Sequence, residues 1–535
     1  MTAEGSSRCL EAFTAALSQT CEDGQQRWYS SILELQLASL ELCRACRSVP
    51  TLHVRVDGAT PRSLWSDRTL QSRPNTLSSE TTRVSGRVPT ARALSLTWSL
   101  PMKDLAQSAA TELWAWSATL ELLGSTWPAS LEPVAWPRGL KQLSLANGFD
   151  RPIAGVRWPG SVEQLSLGPD FNQPIAGITW PASLRQLWFG WHFNQPIIGV
   201  SWPASMEELW FKGKFNQPIG GVVWPASVQR LSFGYSFNQP IVGIAWPASL
   251  QQLSFGHHFN QPIDEVDWPA SLQNLSFGYR FYKSIAGVAW PVGLLRLSFG
   301  FRFNGPVVGV EWPASLQQLS FGYDFKQPIA GVIWPGSLQK LSFGHDFNQP
   351  ITAVLWPGSL QQLHFGYRFN QPVAGVAWPA SLQQLSFGES FNQPVVGVPW
   401  PGSLQQLNFG YRFNQPIAGV VWPASLLQLS FGESFNQPID GIAWPPSLQQ
   451  LLLGHHFNQP ITGVVWPASL RQLSFGGGFE QCVDGIEWPA SLSKVSFGDW
   501  YSGDSYRRAQ FYEYLAGVEW PASVQCVTRG RDRAL

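Results

Sequence analysis

The sequence predicts a mainly β fold: a right-handed parallel β-solenoid of 22-residue coils, with a small helical unit at its N-terminus. Three observations carry that prediction. Trp-Pro recurs at a fixed step of 22 from Trp136 to Trp488, seventeen times without insertion or deletion, and returns at Trp520 after a step of 32. Each step holds a short polar–apolar alternation, such as Gln384-Leu385-Ser386-Phe387, which is the period of a strand with one buried face. The 49 Gly and 42 Pro punctuate every coil and leave no run long enough for a helix.

Numbered from its Trp, a coil reads W-P-A-S-L-Q-Q-L-S-F-G-x-x-F-N-Q-P-I-x-G-V-x. Positions seven to ten form the strand, with Leu and Phe pointing in and Gln and Ser pointing out. Gly at position eleven ends it. Pro at seventeen and Gly at twenty turn further corners, and Pro at two holds the preceding Trp extended. Seven apolar positions recur, in one coil Trp378, Leu382, Leu385, Phe387, Phe391, Val395 and Val398. A single coil cannot enclose them, so burial occurs only between stacked neighbours. A Leu-rich coil of this length is the leucine-rich-repeat type of solenoid.

The run Leu-x-x-Leu-x-Phe-Gly-x-x-Phe-Asn-Gln-Pro-Ile resembles the FNIP repeat, a relative of the leucine-rich repeats known from amoebae, other protists and giant viruses. Copies stand at Phe171-Asn172-Gln173-Pro174-Ile175, Phe193-Asn194, Phe237-Asn238, Phe259-Asn260, Phe347-Asn348, Phe369-Asn370 and Phe457-Asn458, and the resemblance spans about 136 to 525. Members usually have Leu-Pro where this chain has Trp-Pro. The resemblance implies protein–protein interaction and no catalytic activity.

The expected organisation is a helical unit over 1–56, a linker over 57–90, degenerate capping coils over 91–135, and the solenoid over 136–535 with an insertion at about 499–514. Residues 8–47 show helical spacing at Leu33, Leu37 and Leu40; residues 57–90 are rich in Ser, Thr, Arg and Pro. Lys+Arg and Asp+Glu are both 35, and charged residues are 13% of the chain against about 25% in a typical soluble protein. Bulk charge therefore draws the chain to neither nucleic acid nor an anionic membrane. No stretch of 18 apolar residues exists, and the N-terminus lacks the pattern of a secretory signal. The sequon Asn274-Leu275-Ser276 falls in an expected buried strand, where a glycan does not fit. Six Cys form no disulfide framework. The location expected from these features is inside the cell, in the cytoplasm.

Columns of identical residues read first as scaffold. Asn at position fifteen suits an internal hydrogen-bond ladder, present in twelve of seventeen coils. Asp150, Tyr282, Lys326, Glu480 and Ser502 interrupt it, and local loosening is expected there. The Trp column is expected to be buried and near-parallel, as at Trp246, Trp268 and Trp290. Cys43-Arg44-Ala45-Cys46 has metal-ligand spacing, but Cys9 and Cys21 form no second close pair, so buried thiols are expected and no metal is assigned. The pairs His257-His258 and His455-His456 lie nine coils apart. No catalytic triad, phosphate loop or H-E-x-x-H motif occurs, so neither an enzyme nor a cofactor is expected.

Candidate partner-binding residues come from breaks in the repeat. Positions twelve and thirteen vary most and often pair an aromatic with Arg: Tyr279-Arg280, Phe301-Arg302, Tyr367-Arg368 and Tyr411-Arg412. Position nine is Ser in most coils but Trp at Trp188 and Trp210, with Trp191 and His192 on the neighbouring turn. Such Trp residues suit either a partner or the N-terminal unit folded back on the strand face. The insertion adds Tyr501, Tyr506, Tyr512 and Tyr514 with Arg507 and Arg508, and is expected to shield the last coil or meet a partner. The expected function is a monomeric, non-catalytic scaffold that binds a protein on the concave face and adjoining turns. An alternative is a substrate-recruiting adaptor: helices ending in Leu42-Cys43-Arg44-Ala45-Cys46-Arg47, before an apolar strand at Leu52–Val56, resemble the tail of an F-box, whose Leu-Pro opening is absent.

Overall fold

A computed structural model describes strands 52–56, 94–98 and 119–122, residues 127–498 apart from 128, 135 and 146, and then 505–518, 520–529 and 533–534. The chain divides into two compact units, 1–193 and 194–535.

The described residues of the first unit carry six parallel strands in chain order: Leu52–Val56, Leu94–Trp98, Thr119–Leu122, Gln142–Leu145, Gln164–Ser166 and Gln186–Trp188. The sheet begins earlier than the sequence predicts. The apolar strand expected at Leu52–Val56 is present and pairs residue for residue with Leu94–Trp98, so it belongs to the sheet. Its partner lies 42 positions on rather than 22, which is why periodicity does not reveal it. The rest of the expected helical unit, the linker, Cys9, Cys21, Cys43 and Cys46 lie outside the described residues.

The second unit repeats a three-residue strand every 22 residues from Glu208–Trp210 to Gln450–Leu452, then four-residue strands at Gln472–Phe475, Lys494–Phe497 and Cys526–Arg529. All of these pair parallel and in register, as in Leu275↔Leu297 and Leu297↔Leu319. The short antiparallel strand Arg533–Ala534 covers the last edge. The parallel β-solenoid with leucine-rich-repeat coils is thus the fold.

The core is a set of columns. Phe321 and Phe325 stack at 4.1 Å within one coil and meet Phe343 and Phe347 of the next at 5.8 and 6.0 Å. Each fully buried Phe contributes roughly 1.5–3 kcal/mol, and offset pairing adds to it. Trp290, Trp312 and Trp334 follow at 6.3 and 6.4 Å with planes 14–15° apart. Trp246 and Trp268 stack likewise at 6.5 Å, but they are half-buried, whereas Trp290 is buried. The Nε1 atoms of Trp290, Trp312 and Trp334 are buried without an acceptor among the protein atoms. Such an unmet donor costs about 1–3 kcal/mol, which the packing of the rings must offset.

Glycine at position eleven sets the distance between coils. A Cβ on Gly300 would stand 1.6 Å from the Gly278 carbonyl oxygen, and the same clash recurs at Gly256, Gly278 and Gly388. No other residue permits that approach.

Polar columns then tie the coils together. Asn392 Oδ1 accepts from Asn414 N at 2.9 Å and from Gln415 Nε2 at 3.0 Å, and the pattern recurs along the chain. The loosening expected at Asp150 is absent, because its carboxylate accepts equally from Asn172 N and Gln173 Nε2 at 2.9 and 2.8 Å. Tyr282 and Lys326 still donate their backbone N–H to the preceding Asn; they only fail to offer a side-chain amide onward. Ser at position four forms a second column, with Ser381 Oγ donating to Leu360 O at 2.7 Å.

The insertion, expected as a loop, contains the helix Ser505–Ala516. Phe511 meets Phe479 and Phe497 edge-on at 6.3 and 5.9 Å, closing the Phe columns, and Leu515 is fully buried. Tyr514 Oη accepts from Val483 N at 2.9 Å. Burial, with contacts to Cys482 and Asp484, pushes the Tyr514 phenol up to about 12.

Two predictions follow from these columns. Gly300→Ala should lose about 2 kcal/mol or more in denaturant unfolding, while Gly336→Ala, whose added Cβ meets nothing within 4 Å, should be near neutral. Asn392→Ala should lose about 2 kcal/mol by stranding two donors, and Asn392→Asp should recover most of it, since Asp150 already serves in that role.

Candidate interaction surface

The outward side chains of the strands are those at positions seven and nine. In the second unit they line a trough of about 630 Å³ that runs from Trp210 to Ser342. Its Ser column is unbroken from Ser232 through Ser254, Ser276, Ser298 and Ser320 to Ser342. Position seven contributes Arg230, Gln252, Asn274, Arg296, Gln318 and Lys340. Asn274 therefore faces the open trough rather than the core, which corrects the reading of its sequon as buried. Arg230 forms an ion pair with Glu208, a buried carboxylate that also accepts from Trp210 Nε1 at 3.3 Å.

Position twelve follows the strand by two residues, so its side chains stand on the adjoining turn. Hydrogen bonds from position thirteen to the preceding coil hold this turn, as in Arg280 N to His257 O and Arg302 N to Tyr279 O, both 2.8 Å. The side chains consequently stack. Tyr235, His257, Tyr279, Phe301, Tyr323, His345 and Tyr367 form one continuous ladder with ring centroids 3.9–4.6 Å apart. Glu389 ends it; its carboxylate accepts from Tyr411 N at 3.2 Å. Tyr235 and Tyr367 are 42% and 46% exposed, so the ladder presents ring edges to solvent.

Charges flank the ladder. Arg302 lies 6.0 Å from the Tyr279 ring and 3.9 Å from Asp324; Arg368 lies 3.3 Å from Asp346, whose other contact is His345 Nδ1 at 2.7 Å. Burial, His258 and Arg280 lower the His257 pKa, and burial and Arg280 lower that of His258. On the strand face His364 replaces the repeated Ser; burial, then the Lys340 ammonium, lowers its pKa. Among the described residues no cluster of His, Cys, Asp and Glu suits a metal ion.

The family is decided by sequence and structure together. FNIP Repeat models match residues 171–258 and 303–478. The crystal structure of CroV588, a circular leucine-rich-repeat protein from a giant virus, is 33% identical with a TM-score of 0.64, covering 81% of this chain and 69% of that one. The chain belongs to the FNIP-repeat family. Looser likenesses, which carry no argument, are an internalin (inlF) of Listeria monocytogenes at 14% identity and a TM-score of 0.37 (62% of this chain, 86% of that one), and the Toll–Spatzle complex of Drosophila at 10% and 0.47 (76% and 57%). No curated protein matches the chain.

In this FNIP-repeat protein the residues singled out by sequence have four fates. Tyr279, Arg280, Arg302, Tyr367 and Arg368 gather along the stacked ladder, with Tyr411 and Arg412 beyond its end. Trp188, Trp191 and His192 belong to the first unit: Trp188 is half-buried on its strand, Trp191 is 48% exposed, and His192 Nδ1 lies 3.1 Å from Asp170. Trp210 belongs to the second unit, where it lines one end of the trough. Tyr501 and the side chains of Tyr506, Arg507 and Arg508 lie outside the described residues. Sequence reasoning missed the basic trough, because each Arg, Lys or Gln at position seven reads alone as a solvated strand residue. Only the column, read across coils, shows it.

His364 gives a pH prediction. Its folded pKa is lowered, so its neutral form favours folding; that contribution is present above the ordinary His pKa of 6.5 and is lost as pH falls toward the folded value. His364→Ser should therefore shrink the drop in melting temperature between about pH 7.5 and about pH 5.5, as scanning calorimetry would show.

Proposed function

We propose that this FNIP-repeat protein is a non-catalytic scaffold that binds a protein partner on the strand face of its second unit and on the adjoining aromatic turns. The solenoid type supports protein interaction in general. The observation that carries the finer reading is the trough from Trp210 to Ser342, bordered by the ladder of exposed ring edges. Together they join Trp210, Arg230, Arg296 and a row of aromatic ring edges, and aromatic residues and Arg are enriched where proteins bind one another. Trp188, Trp191 and His192 of the first unit extend the set of candidate contacts. The membrane plays no part in this reading; among the described residues no helix is long and apolar enough to cross one.

A photo-crosslinking amino acid placed singly at Ser298, Ser320 or Ala380 tests the site. Ser298 and Ser320 line the trough, whereas Ala380 is exposed outside it. The expected result is specific protein adducts from the first two positions and none from the third. Equal capture at all three, or capture at Ala380 alone, would contradict the proposal.

A further inference from the structure

We infer that the trough holds an extended, acidic segment of the partner polypeptide. This rests on the strand-face reading above and adds the chemistry of the occupant. The lining spans seven coils, about 29 Å at a strand spacing of ~4.8 Å. A chain extended at ~3.3 Å per residue covers that length with about nine residues. The trough is open to solvent along that length, and only an extended segment has backbone N–H and C=O groups free to meet its Ser and amide columns.

Charge selects among extended chains. The lining contains Arg230, Arg296 and Lys340 and no carboxylate. Glu208 neutralises Arg230 at one end. Arg296 reaches only the Asn274 amide oxygen, at 3.4 Å, and Lys340 has no carboxylate partner among the described residues. Two uncompensated cations thus stand two coils apart, roughly 10 Å along the trough. Carboxylates of an extended segment reach both and gain charge-assisted hydrogen bonds. The Ser column and the amides of Gln252 and Gln318 offer donors and acceptors to a peptide backbone. A single-stranded nucleic acid fits less well. Two free cations are few for a run of phosphates, and the ladder's rings stack on one another at 3.9–4.6 Å, leaving no faces between them for bases.

The test uses the purified full chain and fluorescence anisotropy with labelled peptides of about nine residues, alternating Glu/Ser, Lys/Ser or Gln/Ser, and with an oligo-dT of similar length. The Glu/Ser peptide should bind, and the other three should bind at least about tenfold more weakly. Arg296→Gln combined with Lys340→Gln should weaken Glu/Ser binding about tenfold or more while leaving the melting temperature within about 3 °C. Raising salt from about 50 to about 300 mM should weaken it as well. Absence of Glu/Ser binding, equal binding of the three peptides, tighter oligo-dT binding, or indifference to the double variant would each overturn the inference. Crosslinked partner at Ser298 without Glu/Ser binding would overturn the acidic occupant and leave the strand-face site standing. Glu/Ser binding through Arg296 and Lys340 with no adducts at Ser298 would support the acidic preference and remove the strand face as the native partner's site.

Discussion

The approach of one glycine backbone to the next, repeated from Gly234 to Gly476, is the contact on which the other columns depend. A side-chain carbon at Gly300 would lie 1.6 Å from the carbonyl oxygen of Gly278, inside any van der Waals limit. With the backbones this close, the strands keep hydrogen-bonding distance and every position lands above its counterpart. Phe325 then meets Phe347 at 6.0 Å, and Asn392 meets the backbone of Asn414 at 2.9 Å. Each coil stabilises only its neighbours, so the same small set of contacts suffices along the whole stack.

The same register shapes the surface. At position twelve the sequence changes among Tyr, His and Phe, yet all seven rings from Tyr235 to Tyr367 share one stack, because their backbones are held at a constant step. Variation there alters chemistry without altering geometry. At position seven, Arg230, Arg296 and Lys340 enter a column of amides and give the trough its sign of charge. A solenoid of this kind can therefore tune a binding face residue by residue while its Leu and Phe columns stay unchanged.

Much of this was legible in the sequence. The step of 22 and the alternation at Gln384-Leu385-Ser386-Phe387 suffice to place the strand, its buried Leu and Phe, and its outward Gln and Ser. What escaped was whatever the period does not encode. Leu52–Val56 joins the sheet at a step of 42 and shows no repeat. Asp150 looks like a broken Asn column, but a carboxylate oxygen accepts the same two hydrogen bonds. The insertion folds as a helix because Phe511 and Leu515 find the open end of the aromatic core, a surface that exists only after the coils have stacked. The trough and the ladder are likewise properties of neighbouring coils, invisible within any one of them.

If register set by backbone contact governs the fold, the coil is the unit the chain can lose. Deleting residues 379–400 removes one complete coil and joins Trp378 to Pro401, preserving every column. Deleting 379–389 joins Trp378 to Ser390 and puts each downstream residue of that coil out of register. Calorimetric unfolding of the two variants is the most direct test. The first should melt cooperatively within about 5 °C of the parent, and the second should lose its cooperative transition. Equal tolerance of both deletions, or equal loss in both, would contradict the account.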